Sequence, residues 1–103
     1  MKTCEEIMNM GLNQDASTAE EKDRQILLGR IYERTMRYEA ATEVLASKMR
    51  HAKQWIEQME PRLAEGKTEL VGDEMANLAR TLGNAAHDLA IAEAAARAAQ
   101  FAL

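Results

Sequence analysis

The sequence predicts an all-α protein: a long antiparallel helical hairpin, coiled-coil-like, with a short helix in front of it. Three observations predict this. Apolar residues make up 47% of the chain, but aromatics only 4%, and there is one proline. A β-sandwich would need more aromatic and β-branched residues and more turn signals. Two stretches carry apolar residues at alternating steps of three and four, the mark of a helical seam. Alanine, the strongest helix former, supplies 19 of the 103 residues. A disordered tail would be less apolar. The lone Cys4 excludes a disulfide scaffold, and no run approaches the ~18 uncharged apolar residues of a membrane span.

The first element is a short helix over residues 3–10. Thr3 and Glu6 have the spacing of a capping box, with a hydroxyl at the N-cap and a carboxylate three residues on. Gly11 can take the left-handed conformation that ends the helix, and 11–17 read as a loop. Cys4 reads as a tolerated thiol here, because no histidine lies near it in sequence.

The second element is a long helix from 18 to 60, or to 65. Ser17 with Glu20 and Thr18 with Glu21 both satisfy the capping-box spacing. Leu28, Ile31, Thr35, Tyr38, Thr42, Leu45, Met49, Ala52, Ile56, Met59 and Leu63 then step by three and four without a slip. At ~1.5 Å per residue the helix is about 65 Å long. Pro61 predicts an end or a kink, with Gly66 closing the segment.

The third element runs over 68–102, starting at Thr68 or Asp73. Its seam is Val71, Met75, Leu78, Leu82, Ala85, Leu89, Ala92, Ala96, Ala99 and Leu103, and 12 of the last 28 residues are alanine. A turn over 62–67 folds the two long helices back on each other. Residues 1–103 read as a single helical domain.

The second helix is wider than a two-stranded seam. Trp55 and Ala41 lie on one flank, Tyr32 and Ala46 on the other, and Met36 and Val44 further out. A two-helix hairpin cannot bury both flanks. Burial contributes about 1.5–3 kcal/mol per large side chain, which favours a homodimer that completes a four-helix bundle. The expected interface residues are Leu28, Ile31, Tyr38, Leu45, Met49, Trp55, Ile56, Leu78, Leu82 and Leu89. Alternatively, the N-terminal helix folds over one flank with Ile7, Met8, Met10 and Leu12.

Charge and motifs exclude much chemistry. The net charge is -4, with the deficit in residues 1–19 and 61–75. An acidic chain is poorly suited to a phosphate backbone, so a nucleic-acid partner is not favoured. Glu5, Glu6, Glu69, Asp73 and Glu74 are candidate contacts for a basic partner protein. Neither His51 nor His87 has a glutamate three residues before it, and no Cys or His pair is spaced for a metal. No glycine-rich loop precedes a helix, and Ser17 and Ser47 suggest no triad. No metal or cofactor is expected. The start of the chain has no apolar signal region and a single cysteine, so a cytoplasmic protein is expected, without a membrane partner.

Two patterns carry alternatives. Arg30, Arg34 and Arg37, with Lys48, fall near one side of the second helix and could contact RNA, as in small dimeric hairpin bundles that bind RNA. Glu33, Glu39 and Glu43 interleave with them, and Glu33 stands four residues before Arg37, a pairing distance. A solvated mixed-charge face is the simpler reading.

The stretch Arg80-Thr81-Leu82-Gly83-Asn84-Ala85-Ala86-His87 resembles the Arg-x(4–6)-His motif of HEPN domains. These are all-helical, usually dimeric proteins, many of them ribonucleases. The resemblance covers eight residues of the 103. It implies that Arg80 and His87 are a catalytic pair and Asn84 an orienting group, with two motifs meeting across a dimer cleft. Arginine would stabilise phosphorane charge and histidine would shuttle a proton. Read from the residues alone, Arg80 and His87 lie opposite the Leu78/Leu82/Leu89 seam. They are about 10 Å apart along an unbroken helix, too far to act as a tight pair, and on this reading they are a solvent-facing arginine and histidine of an amphipathic helix.

The function the sequence favours is non-enzymatic: a protein–protein interaction module, an adaptor, regulator or inhibitor that presents helical faces to a partner. An inhibitor of a nucleic-acid-binding machine, of the kind phages and mobile elements encode, fits the size and charge, as does an ordinary regulator. The alternatives are a HEPN-like dimeric ribonuclease and an RNA-binding hairpin dimer.

Overall fold

A computed structural model describes residues 1–12, 17–66 and 69–103, without the side chains of 69–71. The protein is all-α, a long helical hairpin behind a short helix. Its elements are α1 (Cys4–Asn9), α2 (Ala19–Ala64) and α3 (Glu69–Gln100). The expected loop at 11–17 falls mostly on 13–16, and the expected third-helix start at Thr68 on 67–68, outside the described residues. Two compact units make up the chain. One combines Met1–Ala40 with Ala90–Leu103; the other is Ala41–Leu89.

The first unit is built around α1. Thr3 is its N-cap, and its Oγ1 accepts the Glu6 N–H at 3.3 Å. The Cys4 N–H, another donor freed by the helix start, goes to Glu39 Oε1 at 3.0 Å. Gly11 follows at φ 104, which L side chains rarely adopt. The Met10 and Gly11 carbonyls accept from Arg24 Nη2 (2.7 Å) and Gln25 Nε2 (2.6 Å) on α2. So the end of α1 is tied to the start of the long helix by two side chains.

Those polar ties place Ile7 into the core. Ile7, Leu28, Ile31 and Ala99 form one buried cluster, with Met10, Leu12, Leu27 and Tyr32 packed against it. The N-terminal segment therefore covers the Tyr32 flank of α2, while Met8 stays exposed. Thr35 is a polar residue in this interior, only 2% exposed. Its Oγ1 accepts from Gln100 Nε2 at 2.8 Å. The same amide pairs with the backbone of Lys2: Oε1 accepts the Lys2 N–H (2.6 Å) and Nε2 donates to the Lys2 carbonyl (2.8 Å). Gln100 thus joins the chain start, α2 and the end of α3, and leaves no amide atom unpaired.

In the second unit α2 and α3 pack with no third element among the described residues. Ala52, Met59 and Ala85 are buried, and Leu45, Trp55, Leu78, Leu82 and Leu89 are half-buried. α2 runs through Pro61 to Ala64, the later of the two ends the sequence allows. Proline removes the N–H that would bond to the Glu57 carbonyl, but so near the end the helix tolerates it. Gly66, at φ 80, closes the segment, with its N–H on the Leu63 carbonyl at 3.1 Å.

The seam on α2 does contain a slip. In the first unit the covered stripe is Leu28, Ile31, Thr35 and Tyr38, as the spacing predicts. In the second it is Ala41, Leu45, Lys48, Ala52, Trp55 and Met59, while Thr42, Met49, Ile56 and Leu63 are exposed. From Tyr38 the stripe advances three residues, to Ala41, where a fourth was expected. The physical reason lies in the side chains. The slip covers the indole of Trp55 in place of Ile56 and apolar Ala41 in place of Thr42, and an aromatic ring has the larger area to hide. Lys48 is half-buried, which a lysine tolerates because its alkyl stem can lie along apolar surface while its ammonium stays in water. On α3 the expected seam holds from Leu78 to Ala99, while Met75 and Leu103 are exposed.

Candidate interaction surface

A hairpin two helices thick can hide one face of each helix. The Ala41–Leu89 unit has no further layer among its described residues, and the slip decides which apolar side chains are left out. Met49 is 57% exposed, Ile56 46% and Leu63 45%. They stand seven residues apart on α2 and so share one face. Met75 on α3 is 49% exposed. It stands seven residues before Leu82, on the same side of α3.

Met49, Ala52, Lys53, Ile56, Glu57, Glu60 and Leu82 line an open groove of about 390 Å³. Its floor is apolar and its α2 rim is charged, with Lys53 between the first two exposed apolar residues and Glu60 between the last two. These rim charges had no place in the expected interface. The signal for them was present: each stands four residues after an apolar member of the 49/56/63 stripe, the flanking position of a coiled coil.

A second groove of about 360 Å³ is lined by His51, Trp55, Glu74, Asn77, Leu78 and Thr81. Trp55 Nε1 donates to Glu74 Oε2 at 2.6 Å. Glu74, a candidate contact for a basic partner, is thus engaged by the indole of its own chain.

The other sequence candidates are scattered. Leu28 and Ile31, expected between two copies, are buried in the chain's own core against Ile7 and Ala99. Tyr38, Leu45, Trp55, Leu78, Leu82 and Leu89 are half-buried, while Met49 and Ile56 face solvent. Arg30, Arg34 and Arg37 are exposed, and Arg37 Nη2 pairs with Glu33 Oε1 at 2.7 Å, as the spacing predicts. Lys48 belongs to the other unit. Glu5, Glu6 and Asp73 are exposed; the side chain of Glu69 lies outside the described residues. Arg80 and His87 are both exposed on α3, and neither lines either groove.

Cys4 is half-buried, and its Sγ lies 3.7 Å from the Tyr32 carbonyl. Burial, then the hydrogen bond and negative charge of Glu39, push its thiol up to about 11. That is the opposite of the activation a nucleophilic cysteine needs. Among the described residues, no three His, Cys, Asp or Glu side chains group closely enough to hold a metal ion, and no helix is long and apolar enough to cross a membrane.

No family model matches the chain, and comparison with curated proteins and with solved structures gives no significant match.

Proposed function

We propose that this protein is a non-enzymatic interaction module, an adaptor, regulator or inhibitor, that docks another protein surface on the uncovered face of its Ala41–Leu89 unit. The observation that carries this reading is the alignment of Met49, Ile56 and Leu63 on one face of α2, each close to half-exposed or more, with Met49 and Ile56 lining a groove that Leu82 of α3 also lines. Single exposed apolar residues are ordinary on any protein; a contiguous row rimmed by charge marks a place where another surface fits. Methionines at two of the exposed positions suit such a role, because the unbranched thioether adapts to the shape it meets.

The test places a photo-crosslinking amino acid at position 49 or 56 in living cells, with position 54, on the outer side of α2, as control. Adducts of defined mass from 49 and 56 but not from 54 are expected. Equal or absent crosslinking at all three positions overturns the reading.

A further inference from the structure

We infer that the occupant of this face is a second copy of the same chain, bound with its α2 antiparallel to the first. The inference rests on the interaction-module reading and names the partner that reading leaves open. It comes from the symmetry of the row itself. A two-fold axis through Ile56 sets Ile56 against Ile56 of the other copy, and Met49 against Leu63 in both directions. Each layer then pairs two large apolar side chains, and none pairs an apolar group with a charge.

The rim obeys the same symmetry. Lys53 and Glu60 both line the groove and have opposite charges. They stand three residues before and four residues after Ile56. In the antiparallel arrangement Lys53 of each copy therefore comes beside Glu60 of the other, which makes two equivalent ion pairs flanking the apolar row. A parallel pair would instead put Lys53 and Glu60 of one copy on the opposite side of the row from those of the other, so that neither meets its counterpart. Flanking charges of this kind choose orientation and partner in helical assemblies. Glu57, which also lines the groove, stands one position further from the row. The interface is isologous, the same patch used twice, as closed dimers require.

Light scattering coupled to size exclusion, run over a range of concentrations, tests this on the full chain. The wild type is expected at twice its 11.5 kDa. Lys53→Glu and Glu60→Lys should each weaken the dimer on the order of tenfold, because each turns both attractive pairs into repulsive ones. The double reversal, Lys53→Glu with Glu60→Lys, should restore it. Both side chains are exposed, so folding is not at stake, and a circular-dichroism spectrum verifies that. A monomeric wild type, single reversals that leave the mass unchanged, or a double reversal that fails to recover would overturn the inference. The crosslinking experiment separates the two claims. Adducts only to other proteins overturn the second copy and keep the interaction module; no adduct at all overturns both.

Discussion

Replacing Ile7 by alanine tests whether the six-residue α1 is held by its one buried side chain. Ile7 is fully buried, and it alone among the residues of α1 is. The substitution removes three carbon atoms from the cluster with Leu28, Ile31 and Ala99. At ~0.8 kcal/mol per buried carbon, the lost transfer energy is about 2.4 kcal/mol. The cavity left beside the two long helices raises the cost to about 3 kcal/mol. For a domain of this size that lowers the melting temperature by roughly 15 °C.

Urea and thermal unfolding followed by circular dichroism at 222 nm measure the loss. A second readout comes from Cys4, three residues earlier in the same helix. If α1 detaches from the hairpin, the thiol leaves Tyr32 and Glu39 and should be alkylated at the rate of a free cysteine. A loss below about 1 kcal/mol, with Cys4 still protected, would refute the account of α1 as an element anchored by Ile7.

Two further predictions concern the helices and the thiol. Gly29 and Gly83 lie inside α2 and α3, and a Cβ added at either meets nothing within 4 Å. Gly29→Ala and Gly83→Ala should each stabilise the protein by about 0.5–1 kcal/mol, and the double variant by about their sum; equilibrium urea unfolding measures this, and destabilisation by either would contradict the open packing. Cys4 in the folded chain keeps its proton to about 11, against 9.0 for a free thiol. At pH 8 its thiolate is about a hundredfold scarcer, and the greater basicity recovers part of that, so alkylation by iodoacetamide should run about tenfold slower than in the unfolded chain. The sign of the linked stability follows. The unfolded chain loses this proton first, so the contribution of Cys4 to stability falls as pH rises from 9.0 towards 11.

Helix positions were legible in the sequence because capping and periodicity are local. Thr18 caps α2 as its spacing with Glu21 predicts: its Oγ1 accepts the Glu21 N–H at 3.2 Å. The alanine-rich seam of α3 faces inward from Leu78 to Ala99. Salt-bridge spacing was equally direct for Glu33 and Arg37. The candidate surface was legible only in part. Met49 and Ile56 stood among the expected interface residues, but so did Leu28 and Ile31, which the hairpin keeps for itself. Lys53 and Glu60 were passed over, because a charge on a helix acquires meaning only once its apolar neighbours are known to be uncovered.

The pattern of residues by itself determined that the chain is helical, where the helices start, and that they fold back on each other. A strict heptad cannot say which of two adjacent stripes is covered when both contain large apolar side chains, since the two differ by only about 100° around the helix. Tertiary packing decided that. The Ile7 segment settled the first unit, by covering the Tyr32 flank of α2. In the second, the bulk of Trp55 turned the covered stripe to Ala41, Lys48 and Trp55, and so exposed Met49, Ile56 and Leu63. Burial is won by the arrangement that removes the most apolar area from water, and that area is a property of the packed pair of helices, not of either sequence stripe alone.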